Sequence, residues 1–335
     1  MTTLPYVSGF SAHTPANVLT NKDLEAFVDT NDEWIRTRTG IHERRKAPDG
    51  VANADLAAEA ARGALALSGC PAESITHIVV VTCSPDVLCP STACQVAGRL
   101  GLRARVAIDV NAACTGFVSG LDVARGFLAT QKKARVLLIA SETLSRFCDW
   151  ADRTTCVLFG DGAGAVILSN EAIQPGGLHA RLHDVRHAAD GSGGDLLHFG
   201  GRYTNPGSIT PSDVFGKEYF IQMNGREVFK HAVRSMTEAC QEVLHDNNLT
   251  IADIDLFVPH QANLRIIEAV GSRLNVKPEQ LFINLQKYGN TSAASIPIAL
   301  AEAREEGRLK PGAKVLLTSF GGGFTWGAAL LIFDE

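Results

Sequence analysis

The sequence predicts an α/β protein with two related halves, and three observations support this prediction. Apolar runs typical of strands alternate with longer helical stretches, an order that produces covered and largely parallel sheets. In the first half a helical stretch precedes PAESITHIVVVTCSPD, and in the second half a helical stretch precedes the similar IADIDLFVPHQAN. No proline-rich or low-complexity linker separates the halves, so we expect them to pack closely.

The predicted elements follow one another along the chain. Strand-like runs rich in valine, isoleucine and leucine lie at 77–83, 104–110, 134–141, 156–169, 256–261, 314–320 and 327–333. Helices are predicted at 52–69, 117–131 and 226–249. RVLLIASETL in the first half is similar to KVLLTSFGGG in the second. We therefore place the boundary in the glycine-rich region 170–222, with halves of residues 1–172 and 173–335, and expect the active site between them.

Composition limits the classes of function. The 335 residues are 45% hydrophobic, enough for a large core, and the net charge of -5 with a pI near 6.1 argues against a nucleic-acid binder. No segment reads as a signal peptide or a membrane span, so we expect a cytoplasmic protein.

The sequence gives no indication of a metal site. The eight cysteines include no C-x-x-C pair. His179, His183 and His187 have a four-residue spacing that would suit a metal site on a helix, but their segment reads as a strand. We therefore expect no metal site.

The stretch NAACTG at 111–116 places a lone cysteine, Cys114, between a predicted strand and an apolar helix. Small neighbours allow a sharp turn, similar to the elbow that presents a nucleophilic serine. Free amides at a helix N-terminus favour a thiolate, which is the form that attacks. Cys114 is therefore a candidate nucleophile, and the alternative from this stretch alone is one more buried cysteine.

The second half offers two polar candidates and a glycine loop. His260 follows a predicted strand in VPHQAN, and Asn290 lies at a glycine turn in YGNTSAAS. Each could donate a hydrogen bond in a site, or serve as an ordinary strand-end histidine and a turn or cap residue. Three glycines at 321–323 follow another strand, where their amides suit either an oxyanion hole or a plain tight turn.

Taken together, these residues resemble the β-ketoacyl-acyl-carrier-protein synthase III family of thiolase-fold condensing enzymes. Similar motifs lie at 28–45, 111–117, 159–165, 258–267, 289–295 and 320–327. The resemblance implies a thiolase-like fold of two pseudo-repeated α/β halves in an α-β-α-β-α arrangement. It also implies a homodimer in which the large sheets join, and no cofactor, since acyl-coenzyme A is a substrate.

The reaction implied by the resemblance initiates fatty acid synthesis in two steps. Cys114 takes an acyl group from acyl-coenzyme A, and malonyl-acyl carrier protein then decarboxylates and attacks that thioester to give 3-oxoacyl-acyl carrier protein. His260 and Asn290 hold the enolate as neutral donors, while the amides of Cys114 and Gly322 form the oxyanion hole. Because a helix terminus can activate a cysteine, we expect that no buried carboxylate base is required.

The segment DTNDEWIRTRTG is a candidate coenzyme A site. Thr30 and Glu33 predict a capping box for a short helix on which Trp34 and Arg38 lie one turn apart. The resemblance places the adenine between Trp34 and Arg153, with Thr30 and Arg38 nearby. The alternative is a surface helix with a partly buried tryptophan.

A basic stripe of Arg226, Lys230 and Arg234 recurs every four residues in the helix predicted at 226–249. A solvated helix face is the ordinary interpretation. Together with Arg265, however, this stripe could supply the local patch that an acidic acyl carrier protein needs on an anionic enzyme.

The choice of acyl primer stays open. We assign Cys89 and Phe320 to the acyl pocket, and Cys89 stands where close relatives often carry phenylalanine, so acetyl, branched and longer primers all fit the sequence. The segment 201–222 looks longer than the corresponding family loop. The alternative function is a related condensing enzyme of secondary metabolism that uses a different primer.

Three other classes of protein fit less well. A degradative thiolase would carry a second cysteine within 320–324, and this chain has none there. A cysteine hydrolase would need a base and an orienting acid near its cysteine, whereas Asn290 suits an enolate better. A non-catalytic acyl-binding module could use the same pocket.

Overall fold

The computed structural model describes residues 4–174, 177–201 and 216–335 of the chain. The helices of these ranges are α1 (Asn21–Leu24), α2 (Asp32–Thr39), α3 (Asn53–Ser68), α4 (Thr92–Leu100), α5 (Gly116–Thr130), α6 (Gly225–Asp246), α7 (Leu264–Leu274), α8 (Leu285–Tyr288) and α9 (Ser295–Glu305). The strands are β1 (Tyr6–His13), β2 (Val18–Thr20), β3 (Glu43–Arg45), β4 (His77–Val81), β5 (Val106–Val110), β6 (Arg135–Thr143), β7 (Asp161–Ser169), β8 (His179–Ala189), β9 (Leu197–His198), β10 (Gln222–Met223), β11 (Leu256–Pro259), β12 (Lys314–Gly321) and β13 (Thr325–Phe333).

Nine of these strands form one hydrogen-bonded series in the order β11-β12-β13-β8-β1-β7-β6-β4-β5. The order β1-β7-β6-β4 of the first part is repeated as β8-β13-β12-β11 in the second, and β5 is an additional strand at the edge of the first part. The two sets meet where β1 pairs antiparallel with β8, from Tyr6 opposite Arg181 to Ser8 opposite His179. The domain boundary at residues 172 and 173 lies between β7 and β8 and stays a prediction.

The alternation of side chains along each strand produces five layers. In β6, Leu138 belongs to a buried cluster shared with α5 and α9, whereas Ile139 belongs to a second cluster with α3 and α4. In β12, Leu317 joins the α5 and α9 cluster, and Leu316 joins a third cluster with α6 and α7. The two sets of strands therefore cover a central helical layer and carry helices outside, which confirms the α-β-α-β-α arrangement.

Most predicted elements are confirmed, with two differences. The strand predicted at 156–169 begins only at Asp161, because the residues before it form turns. β1 was not predicted, since Ser8, Gly9 and Ser11 interrupt its apolar pattern. His179, His183 and His187 lie on β8, as expected for a strand. No helix within the described ranges combines the length and the apolar character that crossing a bilayer requires.

Candidate active site

The candidate site forms where parallel strands end side by side. Val81 at the end of β4 pairs with Val110 of β5 and Ala140 of β6, so the residues that follow these strands gather at one edge. Cys114 follows β5 there. In the other half, β11 and β12 are parallel neighbours, and His260 directly follows β11.

Cys114 lies in a tight 3-10 turn, Ala113–Thr115, between β5 and α5. Ala113 has a φ of 46°, a left-handed conformation that costs energy for a residue with a Cβ and that is typical of strained functional turns. A Cβ on Gly321 would lie 2.6 Å from the backbone nitrogen of Cys114. Only glycine therefore lets the end of β12 approach the nucleophile turn this closely.

Two threonines tie the glycine loop to the nucleophile turn. The Thr115 hydroxyl donates to the carbonyl of Thr325 at 3.0 Å, and the Thr325 hydroxyl donates to the carbonyl of Ala112 at 3.1 Å. These bonds join the two halves of the chain directly at the site. The loop that contains Gly322 is thereby held beside Cys114.

The surroundings of the Cys114 thiol oppose its ionisation. Burial raises its pKa to about 12, a contact with Ser292 opposes this rise, and the negative charge of Glu142 adds to it. Burial thus acts against the thiolate that the helix end favours, and activation of Cys114 by the helix terminus stays a prediction.

His260 is a neutral donor. It is 2% exposed, and burial lowers its pKa to about 3. Its Nδ1 lies 2.6 Å from the Ser295 hydroxyl, which also accepts the Gln261 N–H at 3.4 Å. In the tautomer in which the Ser295 hydroxyl donates to Nδ1, the ring proton resides on Nε2.

Asn290 is oriented by its own turn. Its side-chain Oδ1 accepts the backbone N–H of Ser292 at 2.9 Å, so the Nδ2 group is the end left to donate. Its backbone N–H donates to Leu158 at 2.8 Å, and its carbonyl accepts from Gly160 at 3.0 Å. Both backbone bonds fix the residue against the segment that precedes β7.

Cys114 lies where two cavities meet. One cavity of about 760 Å³ is lined by Cys114, His260 and Asn290 and extends to Trp34. The other, of about 530 Å³, is lined by Cys114 and Gly322 together with largely apolar side chains. The structure thus brings the predicted nucleophile, both predicted donors and the glycine loop together.

The predicted coenzyme A residues gather at the far end of the larger cavity. Trp34, Arg38 and Arg153 line it, and the guanidinium carbons of Arg38 and Arg153 lie 5.0 and 4.8 Å from the Trp34 ring centroid. A purine sandwiched between two groups needs about 7 Å, since each stacked contact takes about 3.5 Å. Arg153 must therefore move outward before a base can enter between it and Trp34.

The capping box predicted for Thr30 is wrong. Asn31 is the N-cap of α2, and its side chain accepts the backbone N–H of Trp34 at 2.8 Å. Asn31 takes this position because it lies three residues before Trp34, where its short side chain reaches the free amide. The Thr30 hydroxyl is buried and has no hydrogen-bond partner among the described residues.

The predicted docking residues lie near the same cavity mouth. Arg226, Lys230 and Arg265 are exposed and line it, while Arg234 is exposed one turn further along α6. Lys230 also pairs with Glu227 at 2.8 Å, a surface contact of small energy.

The two residues assigned to the acyl pocket do not line the same cavity. Phe320 lines the larger cavity, and Cys89 is exposed next to Leu88, which lines the smaller one. Phe147 and Phe159, which sequence reasoning did not assign, also line the smaller cavity. Most of the long segment 201–222 lies outside the described residues.

The sequence analysis missed a polar group behind the nucleophile. Glu142, to which sequence reasoning gave no role, is completely buried near Cys114. Cys83 and Ser292 lie beside it. A lone acidic residue inside the apolar strand 135–143 was the available signal, since such a residue is rarely buried without a partner.

The chain is similar over its whole length to one group of known proteins. The profile for 3-oxoacyl-[acyl-carrier-protein] synthase III matches residues 108–191, and the profile for the C-terminal part of the same proteins matches residues 244–333. A β-ketoacyl-[acyl-carrier-protein] synthase III of Nitratidesulfovibrio vulgaris is 55% identical over 333 residues, which cover 99% of this chain and 100% of the relative.

Solved structures agree with these matches. The 3-oxoacyl-[acyl-carrier-protein] synthase III of Aquifex aeolicus superposes with a TM-score of 0.87 at 44% identity and covers 99% of this chain and 100% of its own. The enzyme of the same name from Pseudomonas aeruginosa gives a TM-score of 0.88 at 38% identity, with 99% of both chains covered.

Proposed function

The chain belongs to the β-ketoacyl-[acyl-carrier-protein] synthase III family, and on that premise we propose how its residues perform the condensation. Cys114 receives an acyl group from acyl-coenzyme A, and malonyl-acyl carrier protein then decarboxylates and attacks the acyl-Cys114 thioester. The product is 3-oxoacyl-acyl carrier protein, the first intermediate of fatty acid synthesis. The position of Cys114 at the junction of the two cavities is the observation that carries this proposal.

Each cavity has one task in this reaction. The smaller cavity takes the acyl chain, because its lining is largely apolar and includes Phe147 and Phe159. The larger cavity takes the arm of coenzyme A and later that of the carrier protein, since it leads from Cys114 to Trp34 and to exposed basic residues. Amides of Cys114 and Gly322 hold the tetrahedral oxyanion.

The second step depends on neutral donors. Loss of carbon dioxide leaves an enolate oxygen, which the Nε2–H of His260 and the Nδ2 group of Asn290 stabilise. A neutral imidazole holds this oxygen without protonating the carbon that has to attack. The strongly lowered pKa of His260 supports this role.

Several partner interactions belong to the same proposal. The adenine of coenzyme A stacks beside Trp34 with Arg153, while Thr30 and Arg38 contact the rest of the nucleotide. Arg226, Lys230, Arg234 and Arg265 attract the acidic carrier protein. The enzyme acts in the cytoplasm as a homodimer, and the half-exposed edge strand β5 with Leu88, which is 81% exposed, supports dimerisation.

Intact-protein mass spectrometry tests the proposal. Wild-type enzyme offered a panel of acyl-coenzyme A esters should gain the mass of one acyl group, and malonyl-acyl carrier protein should then remove it. Cys114→Ala should gain nothing, whereas Cys94→Ala, which changes an exposed cysteine, should behave as wild type. His260→Ala should still be acylated but should not discharge the acyl group.

Two results would contradict the proposal. An acyl adduct on Cys114→Ala would place the nucleophile elsewhere. Failure of His260→Ala to become acylated would mean that His260 serves the first step and that the division of roles is wrong.

A further inference from the structure

A buried arginine that has no part in the reaction described above lies next to the segment that carries Asn290. Arg44, in the middle of the short strand β3, is 1% exposed and is among the largest fully buried side chains of the protein. Its guanidinium donates to the carbonyl of Leu19 at 3.1 Å, to the side-chain Oδ1 of Asn21 at 2.8 Å and to the carbonyl of Val157 at 2.8 Å. All three acceptors are neutral.

Burying this side chain is costly, which indicates that its bonds have a specific task. Burial lowers the pKa of Arg44 to about 10, so the group keeps its charge at neutral pH. Within the described residues it forms no salt bridge, and its Nε has no hydrogen-bond partner. An apolar side chain of similar volume often fills such a place at lower cost. What the guanidinium adds is the set of bonds that holds its three acceptors in place.

The stem of Arg44 lies where two backbone segments pass each other in direct contact. A Cβ added to Gly160 would lie 3.1 Å from the Cβ of Arg44 and would overlap the carbonyl oxygen of Tyr288. A Cβ added to Gly289 would likewise lie 3.1 Å from the Cβ of Arg44, and 2.7 Å from the carbonyl oxygen of Leu158. Arg44 therefore covers one side of a junction at which two glycines let the backbones touch.

This junction fixes the backbone of Asn290. The carbonyl of Leu158 accepts the Asn290 N–H at 2.8 Å, and the carbonyl of Asn290 accepts the Gly160 N–H at 3.0 Å. Val157 directly precedes these partners of Asn290. The bond from Arg44 to the Val157 carbonyl therefore holds, at its start, the segment to which the Asn290 backbone is attached.

We propose that Arg44 positions Asn290 for the decarboxylation step through its bond to the Val157 carbonyl. This inference rests on the proposed function, in which the Nδ2 group of Asn290 stabilises the enolate. Arg44 lines neither of the two cavities that meet at Cys114, so it acts through Asn290 and is a positioning residue. Without its bonds the segment 157–160 shifts, and Asn290 moves with it because backbone hydrogen bonds join the two.

The other arm of Arg44 reaches towards the coenzyme A residues. Asn21, which accepts from Arg44, donates to Asp32 in the first turn of α2 at 2.9 Å, and α2 carries Trp34. A change at Arg44 can therefore weaken the nucleotide contact as well. For this reason the first step has to be measured at saturating acyl-coenzyme A, where such a weakening does not limit the rate.

Two single-turnover measurements, one for each step, test this assignment. Arg44→Met keeps the length of the apolar stem and removes the guanidinium. After complete acylation, transfer of the acyl group to saturating malonyl-acyl carrier protein should be about 10- to 100-fold slower than in wild type, in line with the cost of misplacing a group by about 1 Å. Acylation itself should change by no more than about twofold, the usual scatter between independent sites.

A double-mutant cycle separates the positioning of Asn290 from general damage to the fold. In the Asn290→Ala background, Arg44→Met should slow the transfer by no more than about twofold, because the group that Arg44 positions is already absent. In the wild-type background the same change should show its full effect. General damage would slow the transfer equally in both backgrounds.

Two further variants complete the experiment. Arg44→Lys keeps the charge, but one ammonium group cannot reproduce the fork that bonds three acceptors, so it should lose most of the rate that Arg44→Met loses. It also provides the measurement if Arg44→Met does not fold. Arg273→Met removes an exposed arginine near the end of α7 and should match wild type in both steps.

The outcomes are distinct. Transfer at the wild-type rate in Arg44→Met, or full recovery in Arg44→Lys, would overturn the assignment. An equal loss in the Asn290→Ala background would overturn it too, and so would an equal slowing of acylation and transfer. If wild type itself is not acylated, or does not transfer its acyl group to the malonyl donor, the proposed function fails, and this result appears without any change at Arg44.

Discussion

At the scale of single residues, the site depends on which end of each polar side chain already forms a hydrogen bond within the protein. The backbone N–H of Ser292 donates to Oδ1 of Asn290, and the Ser295 hydroxyl is hydrogen-bonded to Nδ1 of His260. In the proposed reaction these bonds leave the Nδ2 group of Asn290 and the Nε2–H of His260 to donate to the substrate. The donors are therefore pre-oriented before the malonyl group arrives, which is how such groups contribute most to a rate.

Asn290→Asp separates orientation from donation. An aspartate can still accept the Ser292 N–H, but it cannot donate to an enolate and places a negative charge beside it. We expect the decarboxylation step to slow by about 100- to 1000-fold, the usual effect of losing one such donor, while acylation of Cys114 continues. Single-turnover release of carbon dioxide from the acylated enzyme measures this step, and an unchanged rate would remove Asn290 from the mechanism.

The buried His260 should make stability depend on pH. It stays neutral in the folded protein down to a pKa of about 3, whereas it binds a proton in the unfolded chain below its ordinary pKa of 6.5. The stability that depends on neutral His260 is therefore lost as the pH falls from 6.5 towards 3. Relative to His260→Gln, the wild-type free energy of unfolding should fall by up to about 1.4 kcal/mol per pH unit in this range.

Denaturant unfolding of both proteins at pH 7.5, 6 and 5 measures this difference. A constant gap between the two proteins at all three values would show that His260 titrates like an exposed histidine.

At the scale of elements, the site rests on helices that pack closely against the sheet. On α5, a Cβ at Gly120 would lie 2.6 Å from a methyl carbon of Leu138 and 2.9 Å from one of Val81. Gly126 on the same helix is exposed and has no neighbouring atom within 4 Å. The first glycine is needed for packing, and the second is not.

Opposite effects are expected from the same substitution at these two glycines. Gly120→Ala should destabilise the protein by about 1–3 kcal/mol through overpacking. Gly126→Ala should stabilise it by roughly 0.5–1 kcal/mol, because alanine is the better helix former. Denaturant unfolding compares the two, and equal effects would mean that helix propensity rather than packing decides both positions.

The elements differ in how far the sequence could predict them. β4, β6 and α3 have regular patterns and appear where expected, whereas β1 carries Gly9 at a φ of 69° and a bulge. A Cβ on Gly9 would lie 2.4 Å from the carbonyl oxygen of Ala64, so this strand is shaped by its contact with α3. That information lies in tertiary packing and not in any local pattern.

The candidate site, like the helices and strands, could be predicted only in part from the sequence. Cys114, His260 and Asn290 lie within long motifs, so the resemblance to a known family identified them as candidates. The buried Glu142 comes close to Cys83 only because β4 and β6 are parallel neighbours, a pairing that spans about 60 positions of sequence. Without the strand order, a single glutamate in an apolar run gives no indication of its partner.

At the scale of the whole molecule, the open edge of the sheet at β5 gives a prediction about assembly. Ile108 on that strand is 36% exposed, and a lysine there should oppose pairing with a second copy. We expect wild type at twice the chain mass of 35.7 kDa and Ile108→Lys shifted towards the single chain. Leu67→Lys, which changes a 48% exposed residue on α3, is the control.

Sedimentation velocity over a range of concentrations measures these masses. A monomeric wild-type protein, or an equal shift in both variants, would contradict an interface at β5.

The meeting of the two cavities at Cys114 determines the order in which substrates act. In the proposed reaction the acyl chain stays in one cavity while coenzyme A leaves the other, and the malonyl donor enters through the space that coenzyme A has vacated. The first product must therefore depart before the second substrate binds, which is double-displacement kinetics. Steady-state rates should give parallel lines in double-reciprocal plots, and free coenzyme A should compete with the malonyl donor.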